Sequence, residues 1–282
     1  MSTTSEPSVR DESGQPVNGR VIVVTSGKGG VGKTTTTANI GMALASMGEK
    51  VALVDADIGL RNLDLVLGLE NRIVYNVVDV VEGRAKLKQA MIKDKRSPNL
   101  AFLPAAQTRD KSAVTPEQML EMIGELKSEY NYILIDSPAG IEQGFKNSIA
   151  GAQESLIVTN PEVSSVRDAD RVIGFLETGG ITNIRLIVNR IRPAMVKGGD
   201  MMSVEDVLDI LGASVKLIGV VPDDETIITS TNRGEPAVLK PQASRAGLAY
   251  LNIARRLRGE EVPFLNLDAG NGFMDKLKKL FS

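Results

Sequence analysis

Seven short apolar runs recur along the chain, at residues 21–25, 51–54, 100–103, 132–135, 155–159, 185–188 and 217–221. Most are nearly continuous rather than alternating, which marks strands covered on both faces. Between them, apolar residues recur at helical spacing over 33–47, 116–129, 145–150, 164–177 and 204–211. A last helical stretch covers 244–258, where Ala246, Ala249, Tyr250, Ile253 and Leu257 form a stripe. Ser203 and Asp206 have the spacing of a capped helix start. This alternation predicts an α/β fold, a doubly wound, mostly parallel sheet flanked by helices. Ligands on such sheets bind beyond the carboxyl ends of the strands.

The two ends of the chain break the pattern. Residues 1–19 are polar and carry no apolar stripe, so they are expected to form a disordered tail before a folded unit at 20–261. Residues 262–271 read as a linker, with Gly270, Asn271 and Gly272 as a joint, and 272–282 as an amphipathic helix. On a wheel of ~100° per residue, Phe273, Met274, Leu277, Leu280 and Phe281 share one arc, and Asp275, Lys276, Lys278 and Lys279 fill the remainder. A helix of this kind lies in a bilayer interface. The competing reading, a final helix packed on the protein's own core, fits the polar, proline-bearing approach to it less well.

Composition narrows the chemistry. A length of 282 residues suits one α/β domain, and a hydrophobic fraction of 42% is ordinary for a soluble globule. The chain has no cysteine and no histidine, which removes disulfides, thiolate metal sites and imidazole bases. A net charge of −2 and only 4% aromatic residues argue against nucleic acid. No apolar run reaches the roughly 18 residues of a membrane span.

The sharpest chemical signal lies between the first strand and the first helix. Gly27-Lys28-Gly29-Gly30-Val31-Gly32-Lys33-Thr34 fits G-x-x-x-x-G-K-[ST], the P-loop that wraps nucleotide phosphates. Its glycines let main-chain N–H groups converge on an anion, and the helix that follows adds its positive end. Lys33 is expected to reach the β- and γ-phosphates of ATP, and the Thr34 hydroxyl to ligate Mg²⁺. Lys28, beside the first glycine, is a second lysine the motif does not require.

Carboxylates follow two of the other strands. Asp136 comes after 132–135 and resembles a Walker B aspartate, which supports the metal and its waters. Asp55 and Asp57 follow 51–54; if that strand continues, the two share one face. The bland alternative is that these acids cap helices or end strands.

Together these motifs resemble the deviant Walker A ATPases, the MinD/ParA family of P-loop NTPases. Residues 26–35, 57–64 (DIGLRNLD), 104–111 (PAAQTRDK), 136–142 (DSPAGIE) and 159–170 (TNPEVSSVRDAD) look like its MinD branch, and the similarity runs from about residue 20 to the end. The resemblance implies an ATP-dependent homodimer in which Lys28 crosses to the partner's phosphates, as an arginine finger does elsewhere. It implies catalytic roles for Lys28, Lys33 and Asp57, the last positioning the attacking water. Ser26 through Thr35 would hold the nucleotide. Thr34, Asp55 and Asp136 would serve Mg²⁺, directly or through water. The base would meet Asn189, Arg190, Pro222 and Asp223, although Asn189 could instead cap a turn.

The resemblance also implies partners: a MinC-type division inhibitor and a MinE-type activator, docking around Ser164, Asp168 and Asp170. A bland alternative there is a solvated helix face. The terminal helix would bind an anionic membrane, with Lys276, Lys278 and Lys279 adding ~1 kcal/mol each. One copy would bind marginally, and pairing would raise avidity 10²–10⁴-fold. The implied place is the cytoplasm, peripheral on the inner face of the plasma membrane, or the plastid stroma and inner envelope. The implied function is placement of the division septum. The alternative is a ParA-like partition ATPase that coats DNA, which the near-neutral charge and the amphipathic end do not favour.

Overall fold

The computed structural model describes residues 18–267. The polar tail up to residue 17, and the amphipathic helix with Phe273, Met274, Lys276, Leu277, Lys278, Lys279, Leu280 and Phe281, lie outside the described residues. Eight strands form one sheet: β1 (Arg20–Thr25), β2 (Val51–Asp55), β3 (Ile92–Lys93), β4 (Leu100–Leu103), β5 (Tyr132–Asp136), β6 (Glu154–Thr159), β7 (Asn183–Ile191) and β8 (Lys216–Pro222). Their spatial order is β3-β4-β2-β5-β1-β6-β7-β8. All neighbours run parallel except β3, which pairs antiparallel with β4 at the edge.

The helices are α1 (Lys33–Ser46), α2 (Leu63–Leu67), α3 (Val77–Val81), α4 (Leu87–Ala90), α5 (Pro116–Lys127), α6 (Gln143–Ile149), α7 (Val163–Thr178), α8 (Pro193–Gly198), α9 (Val204–Leu211), α10 (Glu225–Asn232) and α11 (Arg245–Leu257). The seven expected strands and six expected helices are present, with ends moved by a few residues. Ser203 and Asp206 form the expected reciprocal cap on α9. Strand β3 and five short helices, α2, α3, α4, α8 and α10, are additions. Helix α10 shows why they escape a pattern reading: its sequence ETIITSTN buries no residue and is rich in β-branched types, and it starts because Asp224 accepts from the Thr226 N–H.

The sheet is buried on both faces, as its continuous apolar runs require. Val21 and Val23 of β1 pack in the layer of Ile123 and Leu126 from α5, Val166 and Val172 from α7, and Val207 from α9. Ile22 and Val24 pack in the opposite layer with Ile40 of α1 and with Tyr250 and Ile253 of α11. Helix α1 lies close on the sheet, and a Cβ at Gly41 would come 2.5 Å from Leu53 Cδ2.

At the amino ends of the strands, Glu154 is clasped by Arg20 at 2.7 Å and by Arg185, tying β1, β6 and β7 together. The body extends slightly past the expected boundaries on both sides. Gly19 already donates its N–H to the Lys127 carbonyl at 3.0 Å. After α11, Arg256 binds the carbonyls of Val262 and Pro263 at 2.9 and 2.8 Å and lies 4.2 Å from the centre of the Phe264 ring. Residues 262–264 are therefore strapped to the body rather than free.

Candidate nucleotide-binding and catalytic site

The phosphate loop spans residues 26–32, between the end of β1 and the start of α1. Gly30 and Gly32 have φ of +77° and +101°, values that only glycine adopts freely. No atom fills the space in front of Gly30 within 4 Å, so the loop's outer face is open. Lys33 is buried, with its Nζ 3.0 Å from Ser26 Oγ, and Ser26 Oγ donates to the Lys28 carbonyl at 2.7 Å. Burial holds the Lys33 ammonium below its usual pKa, and Asp136 and Asp57 partly offset this. A buried cation flanked by carboxylates and an open glycine loop is suited to an anion of high charge.

Two buried carboxylates face each other at the carboxyl ends of β2 and β5, where Asp55 and Asp136 are register partners. Burial pushes Asp136 up to about 6, against the pull of Thr34, Lys33 and Thr37. Burial and then the charge of Asp136 push Asp55 well above the carboxylate range. Strand β2 stops at Asp55, so Asp55 and Asp57 do not share a strand face. Asp55 instead turns back on the main chain and accepts from the N–H groups of Asp57 at 3.0 Å and Leu63 at 3.3 Å. Those bonds fold the 56–62 loop over the site. Asp57 alone of the two lines the cleft, and its Oδ1 is buried with no hydrogen-bond partner.

The cleft has two connected halves. One, of 440 Å³, is lined by the P-loop glycines, Lys33, Thr34, Asp57, Lys111 and Pro138. The other, of 410 Å³, is lined by Asn189, Arg190, Pro222, Asp223 and Tyr250, and both halves share Gly32, Thr35 and Arg190. The residues expected at the base therefore meet the phosphate loop in one groove. Asn189 is buried and donates from Nδ2 to the Val31 carbonyl at 2.7 Å, so its amide braces the loop. Asp223 is paired with Arg192 at 2.6 Å.

Among the described residues no group of three or more acidic, histidine or cysteine side chains could hold a metal alone. The donor set still fits a hard cation, because the Thr34 hydroxyl lies against the Asp136 carboxylate in a site open to phosphate and water.

Residues 22–237 match the CobQ/CobB/MinD/ParA nucleotide binding domain. The chain belongs to that family. A septum site-determining MinD from Synechocystis sp. is 58% identical over 261 residues, 92% of this chain and 97% of its own length. The MinC:MinD cell division complex of Aquifex aeolicus contains a chain of 53% identity, with a TM-score of 0.81 over 88% of this chain and 99% of that one. The septum site-determining MinD of Pyrococcus horikoshii OT3, complexed with Mg-ADP, is 35% identical, with a TM-score of 0.76 over 84% and 95%. This member of the MinD/ParA family is thus an ATPase whose function is division-site placement, and the partition reading fits less well.

Two features of this family member lie outside the cleft. Lys28 is half-exposed and does not line the cleft; its Nζ is 3.1 Å from Ser164 Oγ and 3.5 Å from Glu162. Ser164 and Asp170 are exposed on the first turns of α7, and Asp168 is half-exposed with Arg171 at 3.6 Å. The P-loop and this helix touch, since a Cβ on Gly27 would lie 2.2 Å from the Asp168 main chain. The motif reading gave no chemistry to Lys111, although it ends PAAQTRDK.

Proposed function

We propose that this chain is an ATP-driven, Mg²⁺-dependent switch that pairs with a second copy when it holds triphosphate, and that pairing fixes it to an anionic membrane surface. One observation carries the reading. Of the two lysines in the loop, Lys33 is buried inside the cleft, whereas Lys28 reaches outward to the start of α7 and cannot serve its own phosphates. A cation on the rim of an anion site is placed to complete a neighbour's site.

In this reading the P-loop main chain and Lys33 hold the β- and γ-phosphates, and Ser26 keeps Lys33 aimed. Thr34, backed by Asp136, would hold Mg²⁺, which would supply charge neutralisation to the phosphates. Asp55 stands behind this pair, its oxygens taken by the 56–62 loop. Asp57, which lines the cleft and whose buried Oδ1 has no partner within the protein, accepts a hydrogen bond from the attacking water and orients it toward the γ-phosphorus. Lys28 of the second copy stabilises the charge that develops on the transferred group. Hydrolysis is slow until pairing completes the set. Asn189, Arg190, Pro222 and Asp223 form the base end.

The partners are a MinC-type inhibitor and a MinE-type activator on α7, with Ser164, Asp168 and Asp170 at the contact. The solved Aquifex MinC:MinD complex supports the first. Among the described residues no helix is long and apolar enough to cross a membrane. Attachment is through the amphipathic pattern of the terminal segment around Phe273, Leu277 and Phe281. The expected place is the inner face of the plasma membrane or, in a plastid, the inner envelope.

The test is co-sedimentation with anionic vesicles, in ADP and in a slowly hydrolysed ATP analogue. It compares the full chain with one ending at Gly270. Binding only by the full chain, and chiefly with the triphosphate, is expected. Equal binding in both nucleotides sinks the switch, and equal binding by the shortened chain sinks the anchor.

A further inference from the structure

Lys111 occupies a built position on the floor of the cleft. It opens a short turn after β4, and Asp110 caps that turn by accepting from the Ser112 N–H at 2.9 Å. Its main chain is fixed from below: Asn147 of α6, itself buried, donates from Nδ2 to the carbonyls of Lys111 at 3.2 Å and Val114 at 2.7 Å. Its stem is also constrained. A Cβ at Gly144 would lie 2.9 Å from Pro138 Cγ and 3.4 Å from Lys111 Cδ, so the methylenes run over the space that Gly144 leaves empty. The side chain lines the phosphate half of the cleft with Gly29, Gly30, Thr34 and Asp57, and has no part in the half that holds Asn189 and Pro222. Among the described residues no hydrogen bond or ion pair takes up its ammonium. Its charge is felt in the cleft by Asp57, whose carboxyl burial raises and Lys111 and Lys33 lower.

A half-buried lysine with a fixed stem and an unspent charge, at the end of the cleft away from the base, faces the place of a terminal phosphate. We propose that Lys111 is a second cation for the γ-phosphate of the chain's own nucleotide, through which the site tells triphosphate from diphosphate. Without the γ-phosphate, the charge of Lys111 acts on Asp57. With it, the ammonium turns to the phosphate oxygens and frees Asp57 to orient water. Because the stem passes over Gly144, the same movement carries to α6. The inference rests on the ATP reading above and adds to it a residue that acts in cis, where Lys28 acts in trans.

The test is calorimetric binding of ADP and of a slowly hydrolysed ATP analogue, with Mg²⁺, to the full chain and to its Lys111→Met and Lys111→Arg variants. Methionine keeps the apolar stem and removes the charge. The expected result is triphosphate affinity lowered about tenfold or more in Lys111→Met, with ADP changed less than about twofold and Lys111→Arg close to the unchanged protein. A variant that merely folds poorly weakens both nucleotides together, and Lys111→Arg does not rescue it; that outcome overturns the proposal. So does a Lys111→Met protein that binds both nucleotides as before, in which case the ATP reading stands without Lys111. Failure of the unchanged protein to bind the triphosphate overturns both.

Discussion

The α-carbon of Gly27 lies against the main chain of Asp168: a methyl group there would sit 2.2 Å from the Asp168 carbonyl. The first glycine of the P-loop is thus required by a neighbouring helix as much as by phosphate. Gly27→Ala must push α7 or the loop aside. A cost of about 1–3 kcal/mol is expected from the overlap, read as a lower melting temperature, together with weakened nucleotide binding. A variant as stable and as tight as the unchanged protein would show that the contact is slack.

Glu154 carries an acid-sensitive part of the stability. Burial alone would raise its pKa, but the hydrogen bond and charge of Arg20, with Arg185, hold it below the ordinary glutamate value of 4.5. A native pKa below the unfolded one gives stability that is present above 4.5 and lost as pH falls through the native value. Glu154→Gln is expected to cost about 2 kcal/mol at neutral pH, discounted from a fully buried pair because both arginines are partly exposed. Denaturant titrations at a series of pH values should show the difference closing in acid.

Asp136 has the opposite sign. Its native pKa is pushed up to about 6 by burial, so the nucleotide-free protein loses stability as pH rises from the ordinary aspartate value of 3.8 to about 6. Asp136→Asn removes that loss. Above pH 6 the nucleotide-free variant is expected to be the more stable, by on the order of 2 kcal/mol. The same variant should lose most of the thermal shift that Mg²⁺ and nucleotide give the unchanged protein. Melting curves with and without ligand check both halves.

Arg256 strapping Val262, Pro263 and Phe264 fixes where the terminal segment leaves the body. Arg256→Ala also gives up the bond to the Ile218 carbonyl at 2.9 Å. A loss of about 1–2 kcal/mol is expected, with faster proteolysis after residue 258. Unchanged cleavage rates would mean that the strap is held by something else.

The main elements were legible because the sheet is buried on both faces. Val21–Thr25 and Tyr132–Ile135 could only be covered strands, and the glycine spacing around Lys33 named the phosphate loop. What escaped depended on main-chain direction or on tertiary contact. Nothing in the sequence says that β2 ends at Asp55 and that its carboxylate folds back on the N–H groups of Asp57 and Leu63. The two-residue strand β3 and the one-turn helices α2 and α4 are too short to have a period. Asn189 is expected at the base, and no pattern announces that its Nδ2 also donates to the Val31 carbonyl. Lys111 gained meaning only when Gly144, Pro138 and Asn147 were seen to hold it.

The most direct measurement is the mass in solution, by light scattering, of the unchanged protein and of Lys28→Ala, each with ADP and with a slowly hydrolysed ATP analogue. The unchanged protein is expected to double its mass with the triphosphate alone. Lys28→Ala should stay single in both while still binding nucleotide, since Lys28 lies outside its own cleft. A Lys28→Ala protein that pairs with the triphosphate as readily as the unchanged one would contradict the switch.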